Sequence, residues 1–444
     1  MDNVPSNWQE DTVSDTVSIH PKRTLKKGTC AKYVSMADLI ANQRFINKFS
    51  LKKYTNGPRF QNGDTLFARI TPCLENGKTA YVDILDAGEV GFGSTEFIVL
   101  SGKDGKTNSK FVYYLSRLPW FRERAIKSMT GTSGRQRVQN AFFDELKYFV
   151  PPMLDQTNIA GALSLFDEKI QLNNKSKDLI EHLASRVFRH WFIDFEFPNE
   201  DGEPYKSSGG DFTKSELGEI PRRWSVSTIE NLSSSIQNGG TPNRMVKNYW
   251  HNGTIPWFKT GELQDGPLLH SEERITRSGL LNSACKLWRP KTILVALYGA
   301  SVGRLGILEI AATANQACSA IIAKPEYGFL FLFYSLLFSR DYLRTIAVGA
   351  AQQNINQQVI KSLRIITPQP KIAKMFQDTM LPLYSLAVTN TKQSMILGAL
   401  RDTLLPKLIS GELLNTSNLH PRKKNESSIT TVGDTQETLD KWSR

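Results

Sequence analysis

One kind of stretch occurs twice in this chain, and it limits what the chain can fold into. Between Ile159 and His190, the residues Ile159, Phe166, Asn173, Ile180 and Val187 recur every seven positions. Between Phe376 and Lys407, Phe376, Leu383, Asn390, Leu397 and Leu404 do the same. Leu163, Ile170 and Leu183 widen the first stripe; Met380, Leu386 and Leu400 widen the second. A sustained seven-residue apolar period marks a helix that packs along a partner helix. The alternative is two unrelated amphipathic helices, each lying on its own domain. The middle residue of both series is asparagine, and the two stand 217 residues apart. A lone polar residue at such a seam lowers stability but fixes register. Asn173 and Asn390 are therefore the candidate register residues.

Each helical stretch closes a longer repeat. Val4-Pro5-Ser6-Asn7-Trp8 opens the first half and Ile220-Pro221-Arg222-Arg223-Trp224 the second. Gly63–Ile70 resembles Pro290–Leu297, and Leu146–Pro151 resembles Leu363–Pro368. The offsets are 216, 227 and 217 residues, so equivalent cores carry loops of different length. A duplicated scaffold with two different binding surfaces has that pattern. Thr65–Ile70, Glu96–Leu100 and Thr292–Tyr298 read as short strands. Lys110–Leu118 and Phe329–Ser339 read as buried or half-buried helices; the second is too short to span a bilayer. Proline ends a strand before each long helix, at Pro151-Pro152 and at Pro368.

Composition bounds the partners. The net charge is +12, which favours an anionic partner, most commonly nucleic acid. Cys30, Cys73, Cys285 and Cys318 are scattered without a paired motif. They suggest neither a disulfide framework nor zinc. No apolar run is long enough for a membrane, and Met1–Glu10 lacks a secretory pattern. The expectation is a cytoplasmic chain without membrane contact.

The most distinctive loop is Ile236–Pro242, where Gly239-Gly240-Thr241-Pro242 is followed by Trp250 and Trp257. Glycines there let backbone approach a partner, and Arg244, Lys247 and Lys259 bring charge. Gly240, Thr241, Arg244, Lys247 and Lys259 are candidate nucleic-acid contacts; the other reading is a plain turn over an aromatic core of Trp250 and Trp257. Tyr298-Gly299-Ala300-Ser301-Val302-Gly303-Arg304 is a second glycine loop, and not a Walker A loop. It contributes Tyr298, Ser301 and Arg304. The amide cluster Gln352–Gln358 contributes Gln353, Asn354 and Gln357, since amides pair with adenine; it can equally cap the segment that follows. Its counterpart in the first half contains Arg135 and Arg137. Lys22, Arg23, Lys26, Lys27 and Arg69 complete the basic candidates, with Lys52-Lys53 a further exposed pair.

Catalytic signatures are absent from the sequence. Val150-Pro151-Pro152-Met153 lacks the polar lead and the aromatic of an amino-methyltransferase motif, and no GxGxxG-type loop is present. Phe166-Asp167-Glu168-Lys169 superficially matches a nuclease Glu-x-Lys but sits in the helical stripe, so it reads as a solvated helix face. The six histidines show no metal spacing.

These residues resemble the DNA-specificity subunits of type I restriction-modification enzymes, from Val4 to Leu413. The resemblance rests on Gly239–Pro242 with Gly253–Trp257, Asp194–Pro198, Lys206–Gly210, Leu217–Pro221 before Trp224, and Leu400–Gly411. The first half departs from the pattern, with a different basic loop from His20 to Lys32. The resemblance implies an α+β fold of two similar mixed α/β target-recognition domains, each followed by a long helix. The two helices would form an antiparallel coiled coil, with Asn173 facing Asn390. Thirty-two helical residues span about 48 Å, more than one DNA turn of roughly 34 Å.

The implied layout is a first recognition domain over 1–152, a central helix over 153–195 and a linker over 196–219. A second recognition domain covers 220–369, a C-terminal helix 370–411 and a disordered tail 412–444. Each domain would read one half of a bipartite site in double-stranded DNA. Two methyltransferase subunits and the restriction/translocase subunits would be partners. S-adenosylmethionine, ATP and magnesium would belong to those partners, and this chain would hold no cofactor, metal or catalytic residue. The competing readings are a self-contained DNA methyltransferase or nuclease with an unrecognised site, and a purely structural coiled-coil scaffold.

Overall fold

The computed structural model describes residues 4–132, 134–348 and 354–414. The chain divides into two compact units, Met1–Asp167 with Ala399–Arg444, and Glu168–Gly398.

In the first unit the elements are β1 (Gln9–Thr12), α1 (Val13–Thr16), β2 (Val17–Ile19), β3 (Cys30–Val34), β4 (Ser50–Lys53), β5 (Arg59–Phe60), β6 (Thr65–Ala68), β7 (Thr79–Tyr81), β8 (Gly91–Gly93) and β9 (Phe97–Gly102). There follow α2 (Ser109–Arg117), α3 (Pro119–Lys127), α4 (Phe142–Glu145), β10 (Lys147–Val150) and the start of α5 (Met153–Phe192). One sheet has the order β2-β9-β6-β7. Every residue of β6 is buried, which explains its continuous apolar run. Helix α2 covers this sheet with Phe111, Val112, Tyr113, Tyr114 and Leu115. Asn108 caps it by accepting from the Lys110 and Phe111 amides. The second sheet has the order β4-β3-β8-β5, with β3 parallel to β8. Its edge strand β4 is exposed at all four residues. Strand β10 pairs with β1 up to Val150; Pro151 and Pro152 cannot extend the ladder, and α5 starts at Met153. Gln156, fully buried, takes the Asn108 amide at 2.8 Å and donates to the carbonyls of Lys106 and Pro151.

The second unit contains β11 (Phe212–Ser215), β12 (Gly218–Pro221), β13 (Ser225–Thr228), β14 (Ser233–Asn238), β15 (Ile255–Phe258), β16 (Gly266–Leu268), β17 (Glu273–Ile275), α6 (Arg277–Leu281), β18 (Ile293–Ala296), β19 (Leu305–Leu308), β20 (Thr313–Ala314) and β21 (Cys318–Ala323). It continues with α7 (Phe329–Phe338), α8 (Arg340–Val348), α9 (Gln357–Ser362), β22 (Arg364–Thr367) and most of α10 (Pro370–Ile409). Its main sheet is β14-β21-β18-β19-β16 and its smaller one β17-β15-β20. Leu330–Leu336 of α7 are buried throughout, as expected of an all-round apolar core helix. Among the described residues no helix is long and apolar enough to cross a membrane.

The two units repeat one topology. The pair β1–β10 corresponds to β13–β22, and β2-β9-β6-β7 to β14-β21-β18-β19. The parallel pair β3–β8 corresponds to β15–β20. Backbone bonds set the register of the repeat. Ala68 N donates to Lys78 O as Ala296 N does to Arg304 O, and Val138 N donates to Arg69 O as Ile355 N does to Leu297 O. Ala68 thus matches Ala296, one residue away from the alignment of Gly63–Ile70 with Pro290–Leu297. In a strand, a one-residue slip exchanges the two faces. The bond pattern therefore decides which side chains are equivalent.

Within each unit, segments of the two long helices run side by side. In the first unit, Asp167 of α5 pairs with Arg401, and the buried Leu405 and Ile409 pack with Trp8, Ile159 and Leu163. In the second, Asn173 Nδ2 donates to Gln393 at 2.9 Å and Asn390 Nδ2 to Ser176 at 3.1 Å. Each asparagine therefore bonds the residue three positions beyond the other asparagine. That is a shift of nearly one turn from the expected face-to-face pair. Two further expectations are corrected. Asp167 is 3% exposed and ion-paired, not part of a solvated face. Leu183, Leu386 and Leu400, expected to widen the seam, are 45%, 47% and 47% exposed.

Residues 196–219, read as a polar linker, are folded. Strands β11 and β12 pair there, and Phe197 stacks on Tyr205 at 4.6 Å and on Trp224 at 4.7 Å. Phe195, Phe197, Tyr205 and Phe212 are too far apart to give a period, yet their ring contacts hold the segment. Of the tail expected over 412–444, everything from 415 onward lies outside the described residues; within 412–414, the Leu413 and Leu414 amides donate to the carbonyls of Lys407 and Gly411.

Candidate nucleic-acid interface

In each unit two separate candidate segments converge. Tyr298 forms an isolated antiparallel bridge with Asn354, and Asn354 Oδ1 accepts the Gly299 amide at 3.2 Å. In the first unit Ile70 bridges Arg137 in the same way. The glycine loop and the amide cluster therefore form one surface, as do their counterparts. Gly299 and Gly303 take φ of +63° and +76°, which lets the loop turn back on itself. Ser301 Oγ donates to the Tyr298 carbonyl at 2.8 Å. Arg304 is exposed, and its guanidinium has no partner among the described residues. Gln357 donates to Asn238 at 3.0 Å. Asn356 does cap α9, accepting from the Val359 amide. Gln353 lies outside the described residues.

The other candidates differ in how committed they are. Lys22, Lys26, Lys27, Arg135 and Lys247 are exposed. Arg23 pairs with Asp64, whose side chain is 1% exposed, at 2.9 Å, so its charge neutralises a buried carboxylate. Arg69 is half-buried and donates to the Val138 carbonyl at 2.7 Å. Arg137 forms a fork on Glu96, with Nε to Oε2 at 2.9 Å and Nη2 to Oε1 at 2.7 Å. Thr241 is engaged by Gln316.

Gly240 takes a structural place rather than offering a free amide. Its N–H donates to Ala314, and its carbonyl accepts from Trp257 Nε1 at 2.9 Å and Cys285 Sγ at 3.0 Å. A Cβ there would lie 2.5 Å from the Ala284 carbonyl carbon. The glycine loop is thus a turn welded to the aromatic core, and charge is delivered by the residues after it.

Arg244 lies over that core. Its guanidinium carbon is 3.7 Å from the Trp250 centroid and 4.8 Å from that of Trp257, within cation–π range. Its Nη1 donates to Glu273, which also meets Lys259 Nζ at 3.2 Å. The hydrogen bonds from Arg244 and then Lys259 hold the Glu273 carboxyl below its ordinary value. A carboxyl lowered in the fold contributes its stabilisation above its unfolded value and loses it as pH falls, so the pair is intact at neutral pH. Arg244, Lys247, Asn248, Trp250 and His251 line an open depression. The aromatic core of Trp250 and Trp257 was legible in the sequence, but the pairing of Arg137 with Glu96 and of Arg244 with Glu273 was not, because each carboxylate comes from a distant segment. Among the described residues no group of His, Cys, Asp or Glu is placed to hold a metal ion.

These features define a class: a tandem recognition scaffold, in which one topology is used twice and carries unlike basic surfaces. The profile of the type I restriction modification DNA specificity domain matches residues 5–182 and again 221–394. The chain belongs to that family. It is similar to the type I restriction enzyme MjaIX specificity subunit of Methanocaldococcus jannaschii, 29% identical over 70% of each chain. It is also similar to the HindI specificity subunit of Haemophilus influenzae, 22% identical over 92% of this chain and 100% of that one. Its fold is similar to that of the crystal structure of a type I restriction-modification S subunit from M. genitalium. There the TM-score is 0.57 at 17% identity, over 92% of this chain and 97% of that one.

Proposed function

We propose that this chain is the non-catalytic, DNA-reading subunit of a type I restriction-modification complex, each unit's recognition domain reading half of a bipartite site. The observation that carries this is the repeat itself: equivalent loops, at Ile70 with Arg137 and at Tyr298 with Asn354, present different side chains on one framework. A duplicated framework with unlike contacts suits a target of two unlike halves. The long helices act as an antiparallel coiled coil that sets the spacer and docks two methyltransferase subunits. The opposed order of the Asn173–Gln393 and Ser176–Asn390 bonds supports antiparallel pairing. Leu165, Leu172 and Leu179 support docking: they recur every seven residues and are 68%, 59% and 70% exposed, a second apolar stripe outside the seam. S-adenosylmethionine, ATP and magnesium belong to the methyltransferase and restriction subunits.

The test compares this chain alone with the chain assembled with its methyltransferase subunits, given labelled S-adenosylmethionine and DNA. The assembly transfers methyl groups at a bipartite site and the chain alone transfers none. Transfer by the isolated chain would overturn the reading in favour of a self-contained enzyme.

Arg304→Ala tests the loop surface. It is expected to weaken binding of the assembled enzyme. A loss of about 1–3 kcal/mol confined to one sequence position marks base reading. A loss uniform across sequences, with the salt slope reduced by about one, marks a phosphate contact. An unchanged titration removes the loop from the interface. Asn354→Ala and Gln357→Ala probe the neighbouring surface by the same measurement.

A further inference from the structure

Strands β3 and β15 carry an aromatic residue at the same register position. Tyr33 lies opposite Phe92 of β8, and Trp257 opposite Thr313 of β20. Each ring bears a cation, and the two cations come from different parts of the fold. Lys52 of β4 places Nζ 4.0 Å from the Tyr33 centroid. Arg244, from the loop after β14, lies over Trp257 and more closely over Trp250. The two indoles meet edge-to-face at 5.1 Å. A cation thus lies on a ring at the same point of both domains: Lys52 as a diagonal cross-strand neighbour of Tyr33, and Arg244 from a loop. Lys52 is exposed, and the Arg244 side chain is 49% exposed.

The chemistry of Arg244 is specific. Glu273 engages Nη1. Nε and Nη2 have no partner among the described residues, and they lie on one edge of the guanidinium plane. Two parallel donors on one edge match the O6 and N7 acceptors of guanine in the major groove. The cation–π contact with Trp250 and the bond to Glu273 restrict the side chain before any partner arrives, which lowers the entropy lost on binding. Lys247, Asn248 and His251 surround the same depression, so an approaching duplex meets basic and amide groups beside the fork.

We propose that Arg244 reads a guanine in the half-site of the second domain through Nε and Nη2, with Trp250 and Glu273 as positioning residues, and that Lys52 on Tyr33 is the contact at the equivalent point of the first domain. This rests on the DNA-recognition reading above and adds to it the base and the atoms.

The experiment is a selection of randomised half-sites by the assembled enzyme, read as relative preference at each base pair. Arg244→Ala is expected to lower the preference for one G·C pair of the second half-site by about tenfold or more, leaving the first half-site unchanged. The intact first half-site shows that the variant is folded and assembled. Arg244→Lys, which keeps the charge without the fork, loses preference at the same pair. Glu273→Gln weakens the preference at that pair only, a result that a purely structural role would not give. Lys52→Ala changes the other half-site alone. Unchanged preferences in Arg244→Ala overturn the inference and leave the function standing. A loss uniform over all sequences makes Arg244 a phosphate clamp and also overturns it. A wild-type enzyme without bipartite preference overturns the recognition reading itself, and this inference with it.

Discussion

Replacing Arg401 by methionine destabilises the first unit by about 3–5 kcal/mol, the range for removing one partner of a buried ion pair. Arg401 and Asp167 are 5% and 3% exposed. The Arg401 guanidinium binds Asp167 directly and donates through Nε to Asp402 at 2.9 Å. Tyr114 Oη, from helix α2, donates to the other Asp167 oxygen at 2.6 Å, and Arg117 reaches Asp402 at 3.3 Å. Without Arg401 the Asp167 carboxylate stays buried with one neutral donor. Replacing Asp167 by leucine as well removes the stranded charge and recovers much of the loss. It leaves the Tyr114 hydroxyl without its partner, at about 1–3 kcal/mol, so adding Tyr114→Phe recovers more. Denaturant unfolding of the three variants measures the order. A single Arg401→Met variant within about 1 kcal/mol of the parent would show that water reaches the pair. In a chain of two units the transition must be followed with a probe in the first unit, since a single midpoint is not defined for both.

That network shows where sequence reasoning stops. The seven-residue period located both long helices, and the β-branched runs located β6, β9 and β18, because burial of one stripe or of a whole strand leaves a local period. Proline marked both helix starts for an equally local reason. Asp167 and Arg401 are 234 residues apart, and no local pattern couples them. Asp167 therefore read as a solvated helix residue. Leu183, Leu386 and Leu400 misled for a related reason. Apolar residues just off a seam look like its edge, yet here they face outward with Leu165, Leu172 and Leu179. The asparagines were legible as seam residues, but the pairing of Asn173 with Gln393 depends on how two helices slide past each other. At the candidate interface, Arg244 and Arg137 were legible as basic residues. Their carboxylate partners Glu273 and Glu96 were not, although those partners decide which guanidinium donors are already engaged.

Lengthening both long helices by one heptad increases the spacer between half-sites by about three base pairs and leaves the half-site sequences unchanged. Seven residues add about 10.5 Å, and a base pair rises about 3.4 Å. A heptad keeps the apolar seam in phase, which four residues would not. The insertion has to be made twice. In the first unit Trp8 packs with Ile159 and Leu163 of α5 and with Leu405 and Ile409 of α10, so lengthening α5 alone would pull the two sets apart. The matching points are between Asp167 and Glu168 and between Gly398 and Ala399, where the two compact units divide. Placed there, the insertions leave the Asp167–Arg401 pair on one side and the Asn173–Gln393 and Ser176–Asn390 bonds on the other. Three added base pairs also rotate one half-site by roughly 100° about the duplex, since a turn takes about 10.5 base pairs. The protein or the DNA must absorb that twist, so methylation is expected to be slower at the new spacing. The measurement is mapping of methylated sites by the lengthened chain in its assembled enzyme, with co-purification of the methyltransferase subunits as the check on assembly. An assembled enzyme that keeps the original spacing, or that reads different half-site bases, would show that something other than these helices sets the gap.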